Sequence, residues 1–471
     1  MANRRDFLEF SSTGLAGAAL CSLLGRDRSV AAAGLDSSLH VIARAKRAIH
    51  ICLVGGLSQV DSFDYKPELD RLHGKSLSPD AQPQTFFGQT GLLRKGEWEF
   101  KQHGNSGLWI SELFPHLARV ADELTVIRSM VADTANHMPA MFQENSGFQS
   151  NGFPSLGSWL SYGLGNDSES LPTFVVLPDA RSLPNGGASN WSSGFLPAQH
   201  QGTLFATGSQ PIRNLFAEKK VPVTAEADAL ALLRDLNQSH LAAHGDNDLL
   251  KARIRSYELA AKMQVSVPEA TDFSDESQAT QQMYGLDRKQ TSDCGRRCLL
   301  ARRLLQRGVR FIQLYSGGAF GGSPRHGWDG HEDNRKNHQR EAGLIDQPIA
   351  ALIRDLRQRG MLDDTFVLCT SEFGRTPFTQ AAASELGLGR DHNADGFTVW
   401  MAGAGLKRGF CYGETDDIGW RAVTDKVTWP DFHATVLHLL GINHEKLTWY
   451  HNGIERRLTN VHGHVTSGLL S

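Results

Sequence analysis

Six short apolar runs constrain the fold more than any other feature of this 471-residue chain. None shows the strict alternation of polar and apolar residues expected of a strand with one face in solvent. Strands buried on both faces read instead as continuous apolar runs, so these segments predict the inner strands of a parallel sheet. The runs are residues 48–54, 124–127, 173–177, 309–315, 365–370 and 397–402.

Helical patterns lie between several of these runs. Residues 294–306 form a basic amphipathic pattern that stops at Gly308, and residues 343–359 carry apolar side chains at helical spacing before Gly360. Helices that feed parallel strands make crossover units, which place helices on both faces of the sheet. The sequence therefore predicts an α/β fold with a doubly wound, mostly parallel sheet.

The chain shows no internal repeat and no linker between two compositions. We therefore expect a single domain over residues 34–471, elaborated by polar insertions near residues 66–110 and 185–290. Segments of this kind in α/β proteins often shape the entrance to a site.

Residues 1–33 resemble a twin-arginine export signal. Arg4 and Arg5 precede a mildly apolar stretch at residues 14–24, and alanines at 31–33 offer a small-residue cleavage site. The apolar stretch is too short for a membrane-spanning helix. We expect export, cleavage, a periplasmic or secreted location, and no membrane attachment after cleavage.

Composition excludes several classes of function. With 48 Lys and Arg against 51 Asp and Glu, the formal charge is -3, so nucleic acid is not an expected partner. Five cysteines after cleavage do not suggest a disulfide framework, and Cys294 and Cys298 are interpreted as packing residues. Neither a P-loop nor a Rossmann fingerprint is present, so nucleotide binding is not indicated.

Acidic and histidine side chains follow the predicted strands. In an open α/β sheet, ligands bind beyond the carboxyl ends of the strands, where such side chains would converge. Carboxylate and imidazole groups from separate strand ends therefore predict a metal site. The candidates are Asp61, Asp64, His326, Asp329, His331, His338, Glu372, Asp391, His392 and Asp395.

Five motifs carry a resemblance to a known family. In chain order they are GGLSQVDSFDYKP, NHMPAMFQENSG, GWDGHEDN, TSEFGRTP and DHNADGFTVWMAGAGLKRG. They look like the exported bacterial proteins grouped as domain of unknown function 1501, a family related to sulfatases, alkaline phosphatases and cofactor-independent phosphoglycerate mutases. The resemblance implies an alkaline-phosphatase-like fold with two neighbouring metal positions at the strand ends.

The resemblance also implies metal-ligand roles for particular residues. Asp61 matches the acid after the first strand, Glu372 the acid of a D-H-G step, and His392 the final histidine. Asp329 and His331 stand where a D-x-x-x-H pair is expected, although only one residue separates them. His326 is an alternative to His331.

This chain departs from the family pattern at two positions. Phe373 occupies the histidine position of the D-H-G step, and His137 stands where the related enzymes carry their nucleophile. We hypothesise that His137 supplies the imidazole that Phe373 does not, with a metal-activated water as the attacking group. A phosphohistidine at His137, or Thr134 or Ser146 as nucleophile, are the less favoured alternatives.

An anionic ester also needs fixed positive charge, for which Arg375 is the catalytic candidate and Arg390 a second possibility. The equally open alternative is that these arginines pair with ligand carboxylates and hold them in place. The expected cofactor is one or two divalent ions, Zn, Mn, Fe or Ca. The expected substrate is a sulfate or phosphate ester, in a small molecule or a sulfated polysaccharide. The alternatives are a non-catalytic binding or assembly protein, and a mutase or lyase.

Overall fold

A computed structural model describes most of the chain after residue 40. The described residues are 41–77, 85, 88, 90–207, 211, 212, 215, 223–244, 248–318 and 327–471. The proposed leader and His326 lie outside them.

The secondary structure follows the mixed α/β pattern expected from the sequence. The strands are β1 (Arg47–Leu53), β2 (Phe100–His103), β3 (Leu108–Ser111), β4 (Leu124–Val131), β5 (Phe174–Leu177), β6 (Thr203–Leu204), β7 (Phe311–Ser316), β8 (Thr365–Thr370), β9 (Gly374–Thr379), β10 (Arg390–Asn393), β11 (Phe397–Gly403), β12 (Phe410–Tyr412), β13 (Glu414–Thr415), β14 (Ala422–Thr424), β15 (Val427–Thr428), β16 (Trp449–His451) and β17 (Ile454–Arg456). The α-helices are α1 (Pro67–Arg71), α2 (His137–Ser146), α3 (Leu156–Leu164), α4 (Val223–His244), α5 (Asp248–Thr271), α6 (Gln278–Met283), α7 (Ser292–Gln306), α8 (Asn334–Gln358) and α9 (Trp429–Leu439).

All six predicted strands lie in one large sheet. Its strand order is β12-β4-β11-β8-β1-β7-β5-β6, with β15 also paired to β4. Strand β1 runs parallel to both β7 and β8, and β5 runs parallel to β6 and β7. The predicted mostly parallel sheet is confirmed.

Helices cover both faces of this sheet, as predicted. On β1, Ile49 and Ile51 point to a core that includes residues of α7 and α8, whereas Ala48 and Cys52 point to a core that includes residues of α2, α3 and α9. Burial of both faces explains why the strands read as continuous apolar runs. Among the helices of the described residues, none is both long and apolar enough to cross a bilayer.

One predicted strand has the opposite direction. We expected residues 397–402 to form a parallel strand, but β11 runs antiparallel to both β8 and β4. Its first residue, Phe397, pairs with Met130 near the carboxyl end of β4. The segment just before β11 therefore lies at the same edge of the sheet as the segments just after β1, β7 and β8.

Candidate metal centre

Four chain segments bring polar side chains to this edge of the sheet. His137 is the first residue of α2, which follows β4; Asp329 and His331 follow β7; Glu372 follows β8; and His392 lies in β10 just before β11. The sequence predicted convergence at this edge, and the structure places all five side chains there.

His137, Asp329, His331 and His392 form a tight group, which we call the candidate centre. One ligand atom from each lies within 4.8 Å of the others. Asp329 Oδ1 is 2.8 Å from His331 Nε2, 3.5 Å from His392 Nε2 and 3.6 Å from His137 Nε2. Three imidazole nitrogens therefore face one carboxylate oxygen.

The opposite nitrogen of each imidazole contacts an oxygen acceptor. Nδ1 of His137 donates to Glu372 Oε1 at 2.8 Å, Nδ1 of His392 donates to the Ala135 carbonyl at 2.6 Å, and Nδ1 of His331 donates to Gln380 Oε1. A proton on Nδ1 leaves the lone pair of a neutral imidazole on Nε2. Hydrogen bonds of this kind orient the histidine ligands of metal sites.

The donor set fits a divalent cation. Three imidazole nitrogens and one carboxylate oxygen suit Zn, Mn or Fe in a compact four-ligand site. Nε2 of His331 lies 2.8 Å from Nε2 of His392. Two lone pairs this close repel unless a proton or a cation lies between them, so the arrangement favours a bound positive charge.

Charge at the candidate centre is set by burial and by neighbouring groups. Burial alone would raise the pKa of Asp329, but the Arg375 guanidinium and the imidazole hydrogen bonds hold it well below its ordinary value. Burial lowers the pKa of His392, so this imidazole is neutral at pH 7. Burial would also lower the pKa of His137, but hydrogen bonds with Asp329 and Glu372 raise it overall. At His137 a cation would therefore compete with a proton.

Arg375 does not have the geometry expected of a substrate clamp. Its side chain is fully buried, and the guanidinium donates to the carbonyls of Gly55, Gly56 and Arg390 and to Asp329 Oδ1 at 2.8 Å. A clamp needs donors that face the ligand, and these donors are already used. Of the two roles considered from the sequence, the structure favours the one in which Arg375 holds a carboxylate.

Asp61 is not part of the candidate centre. Its carboxylate accepts from Arg390 Nε at 2.9 Å, from Asn334 Nδ2 at 2.9 Å and from the Glu97 backbone N–H at 2.7 Å. The Asp61 and Arg390 side chains are both fully buried, so each neutralises the other. The structure therefore pairs Asp61 and Arg390 with each other, at a position where we expected Asp61 to be a metal ligand and considered Arg390 as a clamp.

Glu372 touches the candidate centre through His137. Both of its carboxylate oxygens accept the Gly55 N–H, at 2.9 and 3.1 Å. Gly55 has a φ of 122°, and a Cβ there would lie 2.6 Å from the Asp329 backbone nitrogen. Because Gly55 has no Cβ, the end of β1 can pack directly against the backbone of Asp329 and bond to Glu372. Glu372 orients an imidazole rather than joining the group of four.

Phe373 and His137 have the relation that our hypothesis requires. The Phe373 ring packs against the His137 ring at 4.8 Å between centroids and against the His392 ring at 4.5 Å. The phenyl group therefore packs against two imidazoles, one of which is the His137 ring that our hypothesis puts in place of a histidine at position 373. Ligation by His137 stays a prediction.

The two hydroxyl alternatives make local backbone bonds. Thr134 Oγ1 accepts the Asn136 N–H at 3.1 Å, and Ser146 Oγ donates to the Phe142 carbonyl at 2.8 Å. These are the interactions of turn and helix residues, so neither hydroxyl has the environment of an activated nucleophile.

Comparison with protein-family models shows the family to which this chain belongs. Residues 45–470 match the family described as a protein of unknown function, DUF1501. The chain belongs to the DUF1501 family. No curated protein matches it.

Solved structures similar to this DUF1501 chain come from several bacteria. The lipoteichoic acid synthase LtaP from Listeria monocytogenes is 10% identical, with a TM-score of 0.35 over 85% of this chain and 73% of that chain. The PsFucS1 sulfatase from Pseudoalteromonas sp. is 11% identical, with a TM-score of 0.37 over 91% and 72%. The C-terminal periplasmic domain of EcEptC from Escherichia coli, solved with Zn, is 12% identical, with a TM-score of 0.35 over 86% and 84%.

Sequence reasoning missed two parts of the site in this DUF1501 chain. Gln380, which accepts from His331, and the Ala135 carbonyl, which accepts from His392, were not candidates. A backbone carbonyl leaves no signal in sequence. Gln380 directly follows β9, so its position after a strand was an available clue.

Replacing His137 with Ala should lower the bound metal. The substitution removes one of four converging donors, and we expect the affinity of the candidate centre to fall about 10- to 100-fold or more. Metal content of the purified variant, measured after equilibration at limiting free metal, checks this. Full occupancy in His137→Ala would contradict ligation by His137. Ser146→Ala, which removes a hydroxyl that donates to the Phe142 carbonyl at the far end of α2, is the control and should bind as the wild type does.

Proposed function

We propose that this chain is an exported metal-dependent hydrolase that cleaves a sulfate or phosphate ester. One observation carries the proposal: three imidazoles, each oriented by an oxygen acceptor, present Nε2 to the single carboxylate oxygen of Asp329. A donor set held in this way suits a catalytic cation better than a solvent-exposed acidic patch does. The slightly acidic composition supports a substrate other than nucleic acid.

We propose one cation at the candidate centre. The Arg375 guanidinium already lies 2.8 Å from Asp329 Oδ1 and is fixed by three backbone carbonyls. A second divalent ion beside the same carboxylate would face this fixed positive charge. The ion pair between Asp61 and Arg390 removes a further acid that a second ion would need.

The cation would act as a Lewis acid and lower the pKa of a bound water toward neutrality. The residues of this chain prepare the site for that chemistry. Glu372 keeps the His137 proton on Nδ1, and Arg375 keeps Asp329 ionised and in place. The His137 side chain is 11% exposed, against 7% for His331 and 1% for His392, so we propose that an ester approaches the centre past His137. We propose an anionic ester in a small molecule or a sulfated polysaccharide as the substrate.

A binding or assembly role is the second candidate. Arg375 and Arg390 are both fully buried, so neither guanidinium can neutralise the charge that develops on an ester. The absence of an activated hydroxyl at the described candidate positions points the same way. Such a protein would keep the cation and bind an anion without cleaving it.

Metal analysis followed by an ester screen tests the two candidates. We expect the wild-type protein from its native host to carry one more cation per chain than His392→Ala, and to hydrolyse an aryl sulfate or an aryl phosphate that the variant does not. A cation without turnover on a broad panel would favour the binding role. Equal metal content in the two proteins would contradict both.

Export is a separate proposal, and it rests on the sequence of residues 1–33. Replacing Arg4 and Arg5 with Lys should retain the precursor in the cytoplasm, as fractionation of the native host would show. Normal export of that variant would contradict the twin-arginine assignment.

A further inference from the structure

A second group of potential metal ligands lies inside the protein, on the face of the sheet that α2 covers. His50 and Cys52 project from β1, and Glu144 projects from α2, two turns after His137. We call these three residues the inner cluster. One ligand atom from each lies within 4.8 Å of the other two. None belongs to the candidate centre, and the proposed hydrolase chemistry does not use them.

The spacing of the inner cluster matches the coordination shell of a small cation. Cys52 Sγ is 3.4 Å from His50 Nε2, and Glu144 Oε1 is 3.8 Å from the same nitrogen. Zinc bonds of about 2.0–2.3 Å in a tetrahedral arrangement put neighbouring donor atoms roughly 3.3–3.8 Å apart. Only small side-chain adjustments would be needed to bind an ion between them.

The inner cluster is unusual because it contains buried polar atoms that have no hydrogen-bond partner within the described residues. The His50 side chain is 1% exposed and that of Glu144 is not exposed at all. Thr370 Oγ1 accepts the His50 Nε2–H at 2.7 Å and donates to Glu144 Oε1, whereas His50 Nδ1 and Glu144 Oε2 have no hydrogen-bond partner within the described part of the chain. Buried carboxylate oxygens are nearly always paired, so an unpartnered oxygen in a group of metal-binding side chains points to a missing ligand.

Without a cation the inner cluster is uncharged. Burial lowers the pKa of His50 to about 3 and raises the pKa values of Cys52 and Glu144 well above their ordinary range. A bound divalent ion would lower the pKa values of Cys52 and Glu144 again, because its two positive charges stabilise the thiolate and the carboxylate. Thiolate, carboxylate, neutral imidazole and ion then sum to zero charge, which a buried site tolerates.

We propose that the inner cluster is a second, structural cation site that binds a thiophilic divalent ion such as Zn²⁺. His50 Nε2, Cys52 Sγ and one carboxylate oxygen of Glu144 supply three donor atoms, and the His50 proton moves from Nε2 to Nδ1, which has no hydrogen-bond partner within the described residues. Binding breaks the S–H bond of Cys52 and the O–H bond of Glu144, and both protons pass to water. Nothing is oxidised or reduced.

Depth in the protein distinguishes the two sites. His137 of the candidate centre is partly exposed, whereas the His50 and Glu144 side chains of the inner cluster are buried between the sheet and α2, with His433 of α9 bonded to the Glu144 carbonyl. We expect the inner ion to enter during folding and to resist chelators until the protein unfolds. The ion at the candidate centre should exchange in the folded state.

Cobalt substitution tests the inner site, because Co²⁺ bound to a thiolate has a charge-transfer band in the near ultraviolet and the candidate centre has no sulfur ligand. Full-length protein produced with Co²⁺ as the supplied metal should show this band. Cys52→Ser should abolish the band and lower the metal content by one ion per chain. Cys369→Ser is the matched control: this buried thiol lies on the neighbouring strand β8 but faces the opposite core, so its loss should leave the band unchanged.

Two further variants separate the alternatives. Glu144→Gln keeps the shape of the side chain, so it should fold even if Cys52→Ser does not, and it should weaken the band and make the ion removable by chelator. His392→Ala should lose the candidate-centre ion and keep the band. No band in the wild type, or a band that survives Cys52→Ser, would overturn the inner site. A band without a cation at the candidate centre would overturn only the proposed function.

Discussion

Replacing Asp329 with Asn should remove the metal from the candidate centre and abolish any turnover. The carboxylate is shared by His137, His331, His392 and Arg375, so no other change affects as many interactions at the site. Asn cannot supply the negative charge that balances both the cation and the guanidinium. We expect undetectable binding at stoichiometric metal, measured by elemental analysis and by metal titration.

The same substitution should destabilise the metal-free protein. Arg375 would stay buried without its carboxylate, which costs about 3–5 kcal/mol in comparable buried pairs. Because the folded protein holds the pKa of Asp329 below its ordinary value, the ionised carboxylate stabilises the fold above that ordinary pKa and this contribution is lost as the pH falls. The penalty of Asp329→Asn should therefore shrink on acidification, as denaturant unfolding would show.

Asp333→Asn is the matched control for that experiment. Asp333 caps α8 by accepting the Lys336 N–H at 3.0 Å, and Asn is an equally good capping residue. This variant should keep its metal and its stability. Metal loss in both variants, or in neither, would contradict the role given to Asp329.

Replacing Arg390 with Met should lower the free energy of unfolding by about 3–5 kcal/mol, measured in chelator-treated protein so that metal binding does not contribute. The change leaves the Asp61 carboxylate buried without its partner. Burial alone would raise the pKa of Asp61, and Arg390 is the main group that lowers it. In the variant we expect the carboxyl to take up a proton more readily, so the destabilisation should be greatest near neutral pH and should diminish as the pH falls.

Arg408→Met provides a comparison at the surface. The Arg408 side chain is 48% exposed in its ion pairs with Glu123 and Asp363, and exposed pairs contribute only about 0–1 kcal/mol. If Arg390→Met and Arg408→Met lowered the free energy of unfolding by similar amounts, the buried Asp61–Arg390 pair would contribute no more to stability than an exposed pair.

Local sequence patterns predicted the framework of the fold well. Apolar runs identified β1, β7 and β8 because burial on both faces leaves a one-dimensional signal. Strand-end acids and histidines predicted that Asp329, His331 and His392 lie together because side chains at the carboxyl edge share one region of space, whereas His137 was proposed from the family resemblance. Neither prediction required knowledge of which residues pair.

Pairing is where sequence reasoning failed. Asp61 and Arg390 are 329 positions apart, and nothing local shows that they meet. The direction of β11 was also invisible, since a buried antiparallel strand reads like a parallel one. The inner cluster left a weaker clue: His50 and Cys52 alternate with isoleucines on β1, which puts a histidine where an apolar residue is expected.

The reversed strand β11 also bears on when a newly made chain could bind a cation at the candidate centre. His392 bonds to the Ala135 carbonyl, 257 positions earlier, and in the folded sheet β11, the strand that follows His392, lies between β4 and β8. A nascent chain that lacks its last fifth therefore has Asp329 and His331 but not the complete ligand set. We expect metal capture to follow translation, and chaperones that shield the unfinished sheet edge would then influence how much of the protein is loaded.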